Sequence, residues 1–180
     1  MDSFESKSEI RQRVISQRPQ PSTGLAANLV RLAFELDANV IASYQPLANE
    51  PDVAEFNLWV ISMGKTLLLP RIEGEHLVFA DGDLVIGSHR IYEPTGSPHD
   101  LAEAQLILLP ALAVDKSGNR LGKGKGFYDR ALAQVQGIAK YAVVFDSEIL
   151  DAIPTESHDV WVTGAVTPTA IHHFRASAIS

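Results

Sequence analysis

"LILLPALAVDKSGNRLGKGKGFYDR", Leu106 to Arg130, decides how this chain folds. It opens on the most apolar strand-like run of the chain, "AQLILLP", which suits a strand buried on both faces at the centre of a sheet. It closes on "FYDR", a helix start, and between the two Gly122, Gly124 and Gly126 stand at alternate positions. In open α/β sheets ligands gather at the carboxyl ends of the strands, where this loop sits. Alternating glycines let backbone N–H groups turn inward as an anion-binding nest, and the helix N-terminus near Phe127 adds partial positive charge. Arg120, Lys123, Lys125 and Arg130 face a single anion, Asp129, a local net of +3 in a chain of −7. The spacing matches neither well-known phosphate loop. A P-loop needs a lysine and a hydroxyl residue directly after its last glycine, where Phe127 stands, and a dinucleotide fingerprint wants glycine or alanine at that position. On the residues alone, a mobile, solvated Gly/Lys loop competes with an anion cradle.

Outward from this stretch, strands and helices alternate. Residues 4–17 read as a short polar helix stopped by Pro19 and Pro21. Ser22 or Thr23 caps a second helix with Leu25, Leu29, Leu32 and Leu36 at helical spacing. "NVIASY" is a strand ending near Tyr44, and "PDVAEFNLWVISMGK" a helix with Val53, Phe56, Val60 and Met63 on one face and Gly64 at its C-cap. "TLLLP" is the next buried strand, and "HLVFA" and "GDLVIG" are shorter, peripheral ones separated by the Asp81-Gly82 turn. "FYDRALAQVQG" predicts a helix ending at Gly137, followed by the strand "YAVVF", a short helix near 147–151 and a last strand around Val160 to Thr163. This order predicts a three-layer α/β/α domain with a mostly parallel central sheet covered on both faces, spanning residues 1–180 with a polar tail from about 172. No repeat or linker interrupts it.

Composition narrows the class of function. With 46% hydrophobic and 21% charged residues, the chain reads as an ordinary globular protein. Its net charge of −7 argues against nucleic acid or an anionic membrane as partner. The absence of cysteine excludes disulfides and thiolate metal sites. "MDSFESKSEIRQR" lacks the apolar core of a signal peptide, and "LILLPALAV" is too short to span a membrane, so a cytoplasmic protein is expected.

"LILLPALAVDKSGNRLGKGKGFYDRAL" resembles the signature of the 5-formyltetrahydrofolate cyclo-ligase family, also called methenyltetrahydrofolate synthetases: a hydrophobic strand, a proline, an acid, a glycine, then Arg-Leu-Gly-x-Gly-x-Gly-aromatic-Tyr-Asp. Further matches follow in order. "KSEIR" resembles the family's N-terminal Lys-x-x-x-Arg, "YQPLANEPD" its Tyr-then-Glu-x-Asp segment, "LLLPRI" its Leu-Pro-Arg, "IYEP" its Glu-Pro and "IPTESHDV" its C-terminal His/Asn-Asp step.

The resemblance implies a Rossmann-like fold of the sugar-phosphate isomerase and CoA-transferase type. It implies an ATP- and magnesium-dependent ring closure of 5-formyltetrahydrofolate to 5,10-methenyltetrahydrofolate through a phosphorylated formyl oxygen. By motif position, Lys7 and Arg11 contact ATP phosphates. Arg120, Leu121, Gly122, Lys123, Gly124, Lys125, Gly126, Phe127 and Tyr128 wrap the nucleotide. Gln45 and Glu50 fall in the folate pocket, which Lys123 to Phe127 also face. Asp129 and Asp159 hold magnesium, and Lys7, Arg120 and Lys125 serve catalysis. A monomer is implied, with a dimer left open. The chemistry suits the residues: magnesium favours a few carboxylates plus phosphate oxygens, and no side-chain nucleophile is required because the attacking nitrogen belongs to the substrate.

Taken singly, these residues have plainer readings. Asp129 suits any helix start, Asp159 could cap a loop, Lys7 could be a solvated charge, and Glu50 could simply begin a helix. His172 and His173 read as solvated, His76, His89 and His99 show no ligand spacing, and Trp59 and Trp161 read as core. The family pattern often has threonine at Val53, an aromatic at Val114, glutamine at Glu148 and methionine near Leu77. These departures leave room for a non-catalytic nucleotide- or folate-binding paralogue. A phosphosugar enzyme on a related fold is a third reading.

Overall fold

The computed structural model describes residues 5–19, 21–87 and 90–174. His89 lies outside the described residues, as does most of the expected tail. The run Leu106–Pro110 is the fourth strand of an eight-stranded sheet, as its apolar character requires. In order across the sheet the strands are Ile171–His173, Gly164–Val166, Ala139–Val143, Leu106–Pro110, Val40–Ala42, Thr66–Glu73, His76–Ala80 and Pro98–His99. The five from Gly164–Val166 to Thr66–Glu73 are mutually parallel, and antiparallel strands close both margins. Val40–Ala42 pairs in register with Thr66–Leu68 on one side and, through Ile41 and Ala42, with Leu106 and Ile107 on the other.

Alternate residues of these strands feed two cores. One face carries helices α2 (Leu25–Glu35) and α3 (Ala54–Ser62), whose Leu25, Leu29, Leu32, Phe56 and Val60 pack on Ile41, Leu67, Leu106 and Leu108. The other face buries Ala42, Leu68, Ile107, Leu109 and Ala142 beneath Leu132 of α4 (Phe127–Leu132). Burying a leucine or phenylalanine side chain in this way contributes about 1.5–3 kcal/mol.

Helix α1 (Lys7–Gln17) stands apart from both layers. A reciprocal capping box starts it: Ser6 Oγ accepts from Glu9 N, and the Glu9 carboxylate accepts from Ser6 N. Its buried Ile10 and Val14 pack on Leu112, Ala113, Leu121 and Ile153. These belong to, or border, a second sheet of three short strands, Ile149–Leu150, Ala113–Asp115 and Arg120–Leu121. The turn between the last two is held by buried Asp115. Its Oδ1 accepts from Ser117 N and Asn119 N, and its Oδ2 accepts from the Asn119 amide and from Ile153 N, at 2.9–3.0 Å.

Several local expectations are corrected. Ser22 Oγ accepts from Asp52 N, and the N-cap of α2 is Gly24. Helix α3 is apolar on nearly every side, so periodicity does not select its core face; Met63 ends 51% exposed, beside exposed Leu58 and Ile61. Helix α4 ends at Leu132 rather than Gly137, and beyond its end Val135 and Ile138 pack on the core that Leu132 covers. The segment near 147–151 is a 3₁₀ turn, Asp146–Glu148, followed by strand Ile149–Leu150. Residues 160–163 form no strand, and Trp161 is 45% exposed rather than core. The last hairpin lies further on, at Gly164–Val166 and Ile171–His173, so His172 and His173 are strand residues and His173 Nδ1 meets the Tyr141 hydroxyl at 2.7 Å. "GDLVIG" pairs Leu84–Ile86 with Tyr92–Pro94 as a separate hairpin.

Asp115→Ala strips acceptors from four donors at a buried turn and should destabilise the fold by about 3 kcal/mol. The urea midpoint should fall by roughly 1.5 M at unchanged slope. A shift under about 0.3 M would show that the turn holds without it.

Candidate active site

The glycine loop leaves the small sheet at Leu121 and enters α4 at Phe127, passing over the carboxyl ends of the parallel strands. Gly124 and Gly126 have φ of +93° and +68°, a left-handed backbone that side chains disfavour. A Cβ on Gly124 would lie 3.4 Å from the Arg11 guanidinium carbon, and one on Gly126 would lie 2.9 Å from an Arg130 nitrogen. The loop is therefore glycine-rich both for its turns and for the cations drawn against it.

One wall of a cleft of about 570 Å³ is this loop. Lys7, Arg11, Gln45, Glu50, every residue from Arg120 to Asp129, and Asp159 all line it. Residues assigned from separate segments of the sequence thus converge on one cavity. Pro70, Ile72 and Leu77 supply apolar wall, with Tyr44 behind Gln45.

Ion pairs hold three of the cations, Lys7, Arg120 and Lys123. Lys7 Nζ lies 2.7 Å from Asp159 Oδ2 and 3.2 Å from Glu156 Oε2, with its side chain only 16% exposed. Burial alone would lower the Lys7 pKa, but the hydrogen bonds to Asp159 and Glu156 outweigh it and raise the value. Burial opposes ionisation of Asp159 as well, but the hydrogen bonds from Lys7 and Glu156 N together with the Lys7 charge outweigh it and lower its pKa. Both therefore stay charged around neutrality. Arg120, 3% exposed, donates from Nη2 to Asp129 Oδ1 at 2.9 Å and stacks 5.9 Å from the Tyr128 ring centroid. Its Nε is buried without a partner among the described residues. Lys123 Nζ meets Glu50 Oε1 at 2.6 Å across the cleft, and Glu50 Oε2 accepts from Leu47 N. Arg11 Nε donates to Gly122 O at 2.9 Å, tying α1 to the loop. Lys125 is exposed and has no ion pair among the described residues. The hydroxyls of Tyr44 and Tyr128 are held protonated, by burial first and by the Glu50 charge second.

The carboxylates suit a hard cation. Asp129 Oδ1 accepts from both Arg120 and Val160 N, and Asp159 Oδ2 from both Lys7 and Glu156 N. Asp129 Oδ2 and Asp159 Oδ1 accept no hydrogen bond from the described residues, though His158 Nε2 lies 4.0 Å from Asp159 Oδ1, and such oxygens suit magnesium, which takes a few carboxylates beside phosphate. Glu156, His158 and Asp159 also bring one ligand atom each within 4.8 Å of one another, a group that does not include Asp129.

Glu93 and Glu156 line the cleft too. They lie in the matched segments "IYEP" and "ESHDV", but nothing in their local sequence distinguishes them from surface acids. Of the four departures from the family pattern, only Leu77 lines the cleft. Val53 and Val114 are buried in the two cores, and Glu148 is ion-paired with Arg18. No helix among the described residues is long and apolar enough to cross a membrane.

Comparison with known proteins gives the same reading as the geometry. The family model of 5-formyltetrahydrofolate cyclo-ligases matches residues 5–168. A 5-formyltetrahydrofolate cyclo-ligase of Mycolicibacterium smegmatis is 33% identical over 182 residues, covering 91% of this chain and 94% of its own. The NMR structure of the Aquifex aeolicus 5,10-methenyltetrahydrofolate synthetase superposes with a TM-score of 0.79 at 26% identity, covering 97% of this chain and 95% of that one. A Mycoplasma pneumoniae 5,10-methenyltetrahydrofolate synthetase shares the fold with a TM-score of 0.71 at 19% identity, over 93% and 99% of the two chains. With nearly its whole length matched and its cleft lined by the motif residues, the chain belongs to the 5-formyltetrahydrofolate cyclo-ligase family.

Proposed function

We propose that this protein closes the ring of 5-formyltetrahydrofolate at the expense of ATP. The formyl oxygen takes the γ-phosphoryl group and ADP leaves. Nitrogen 10 then attacks the activated carbon and loses its proton, and phosphate departs to give 5,10-methenyltetrahydrofolate. The observation that carries this reading is the convergence on one cleft of every residue assigned to nucleotide, folate or metal. In the same reading the protein works in the cytoplasm on small molecules alone.

The roles follow from what each group can do. Lys7 and Arg11 reach the cleft from α1 and Lys125 from the loop, three positive charges for the phosphates of ATP. Backbone N–H groups of Gly122 to Gly126 supply further donors. Lys125, which has no carboxylate partner among the described residues, is suited to follow the transferring phosphoryl group, where catalysis is mainly positioning and electrostatic stabilisation. Arg120 holds Asp129 in orientation from below. Asp129 and Asp159 would hold magnesium, which when bound neutralises phosphate charge. Gln45 and Glu50 face the folate, and the buried Glu50 carboxylate is an acceptor for pterin N–H donors. Pro70, Ile72 and Leu77 give the ring an apolar surface and help exclude water from the phosphorylated intermediate.

Protein mixed with Mg-ATP and 5-formyltetrahydrofolate should develop the ultraviolet absorbance of methenyltetrahydrofolate. Ligand binding by calorimetry without turnover would instead identify a non-catalytic relative. Asp129→Asn should lower kcat by about a hundredfold or more with an unchanged circular dichroism spectrum; an unaltered rate and magnesium dependence would remove Asp129 from the metal site. Gly124→Ala adds about 1 kcal/mol of backbone strain and pushes on Arg11. It should raise KM for ATP about fivefold while kcat stays within about twofold. A wild-type KM would mean that the loop tolerates the change without touching the nucleotide.

A further inference from the structure

Arg18 lies outside the cleft, at the C-cap of α1, yet its guanidinium makes four hydrogen bonds. Its side chain is 3% exposed. Nε and Nη2 meet the two Glu148 oxygens at 2.6 and 3.2 Å. Nη2 also donates to Ala111 O, Nη1 donates to Asn49 O at 3.0 Å, and the guanidinium carbon sits 5.7 Å from the Phe145 ring centroid. Each acceptor follows a different strand of the parallel sheet. Asn49 belongs to the segment after Val40–Ala42 and precedes Glu50, and Ala111 follows Leu106–Pro110 and lines the cleft. Glu148 follows Ala139–Val143, and its Oε2 is itself held by Phe145 N.

Lys7, Arg11 and Arg18 are spaced i, i+4 and i+11, a single stripe along α1. A rigid helix of this length, about 16 Å, transmits the placement of its C-cap to its first turn. Surface ion pairs do little of this kind, but a buried guanidinium with a bidentate carboxylate and two carbonyl acceptors has one geometry. A carboxylate at 148 accepts from both Nε and Nη2, whereas the glutamine frequent in the family pattern offers a single oxygen.

We propose that Arg18 is a positioning residue of the reaction: by tying α1 to the segments after three adjacent strands, it sets Lys7 and Arg11 on the nucleotide side in register with Glu50 on the folate side. This rests on the cyclo-ligase reading for what the two sides bind. A purely stabilising ion pair is the competing explanation, and replacing both partners together separates the two, because uncharged replacements leave no unpaired buried charge.

Arg18→Met/Glu148→Gln removes the tether while the glutamine carbonyl still receives Phe145 N. The double variant should keep a native near-ultraviolet spectrum, while amides of α1 and of residues 47–50 exchange with deuterium about tenfold faster. KM for Mg-ATP and for 5-formyltetrahydrofolate should both rise about tenfold, with kcat within about threefold. Glu148→Gln alone keeps Arg18 on Asn49 and Ala111 and should stay within about threefold of wild type in every parameter. A folded double variant with wild-type exchange and wild-type KM values overturns the proposal. Should the double variant fail to fold, Arg18→Lys replaces it: lysine reaches Glu148 but cannot also span both carbonyls, and the same two readouts decide in the same way. If the wild-type protein does not turn over at all, the proposed activity is what fails, and amide exchange with and without Mg-ATP still decides whether Arg18 places α1.

Discussion

A buried carboxylate in a turn, Asp115, sets the frame on which the rest of the site hangs. Its oxygens gather donors from Ser117, Asn119 and Ile153. The first two fold the chain back so that Arg120–Leu121 pairs with Ala113–Asp115, which delivers Arg120 beneath the glycine loop. The third brings in the C-terminal segment that continues to Glu156 and Asp159. Helix α1 then has a surface for Ile10 and Val14, and Lys7 meets Asp159 across 152 residues of sequence. The large parallel sheet thus supplies the floor of the cleft, and the three-stranded sheet beside it aligns the charged groups.

This division of labour would suit the phosphoryl transfer we propose. The central strands Val40–Ala42 and Leu106–Pro110 carry only apolar side chains, so the chemistry falls to the segments that leave the carboxyl ends of the sheet. Those segments would be free to move were they not cross-tied. Arg11 to Gly122, Lys7 to Asp159 and Arg18 to Asn49, Ala111 and Glu148 all bridge α1 to loops of the main body. The N-terminal helix therefore completes the cleft rather than covering the fold.

Much of this was legible in the sequence, for physical reasons that differ by element. The central strand announces itself because only a strand buried on both faces is apolar at every position, as "LILLP" is. The alternation of strands and helices gives a parallel sheet almost by necessity. Helix α3, apolar on most sides, hid the direction of Met63, and the stop of α4 at Leu132 has no local marker, since Val135 packs on the core from a turn beyond it. Trp161 looks like core by type but falls in an irregular segment between Asp159 and the last hairpin. The cleft residues could be named because the glycine loop, Lys7-x-x-x-Arg11 and "ESHDV" are motifs with ordered companions. Their pairings could not, since no local pattern joins Glu50 to Lys123 or Arg18 to Glu148.

The ion pairs of the cleft give it a further property: the protein carries its own counterions. Lys7, Arg120 and Lys123 are each matched to a carboxylate, Asp159, Asp129 and Glu50. A triphosphate that draws Lys7 or Lys123 to itself releases a carboxylate in the same movement. Charge would then be exchanged within the cleft rather than added to it. In the proposed reaction each carboxylate so released would stand beside a group that could use it, Asp159 beside magnesium and Glu50 beside the pterin. The acidic balance of the chain, at first sight ill-suited to binding a polyanion, supplies the carboxylates that hold Arg120 and Lys123 paired, while Lys125 stays without an ion pair among the described residues.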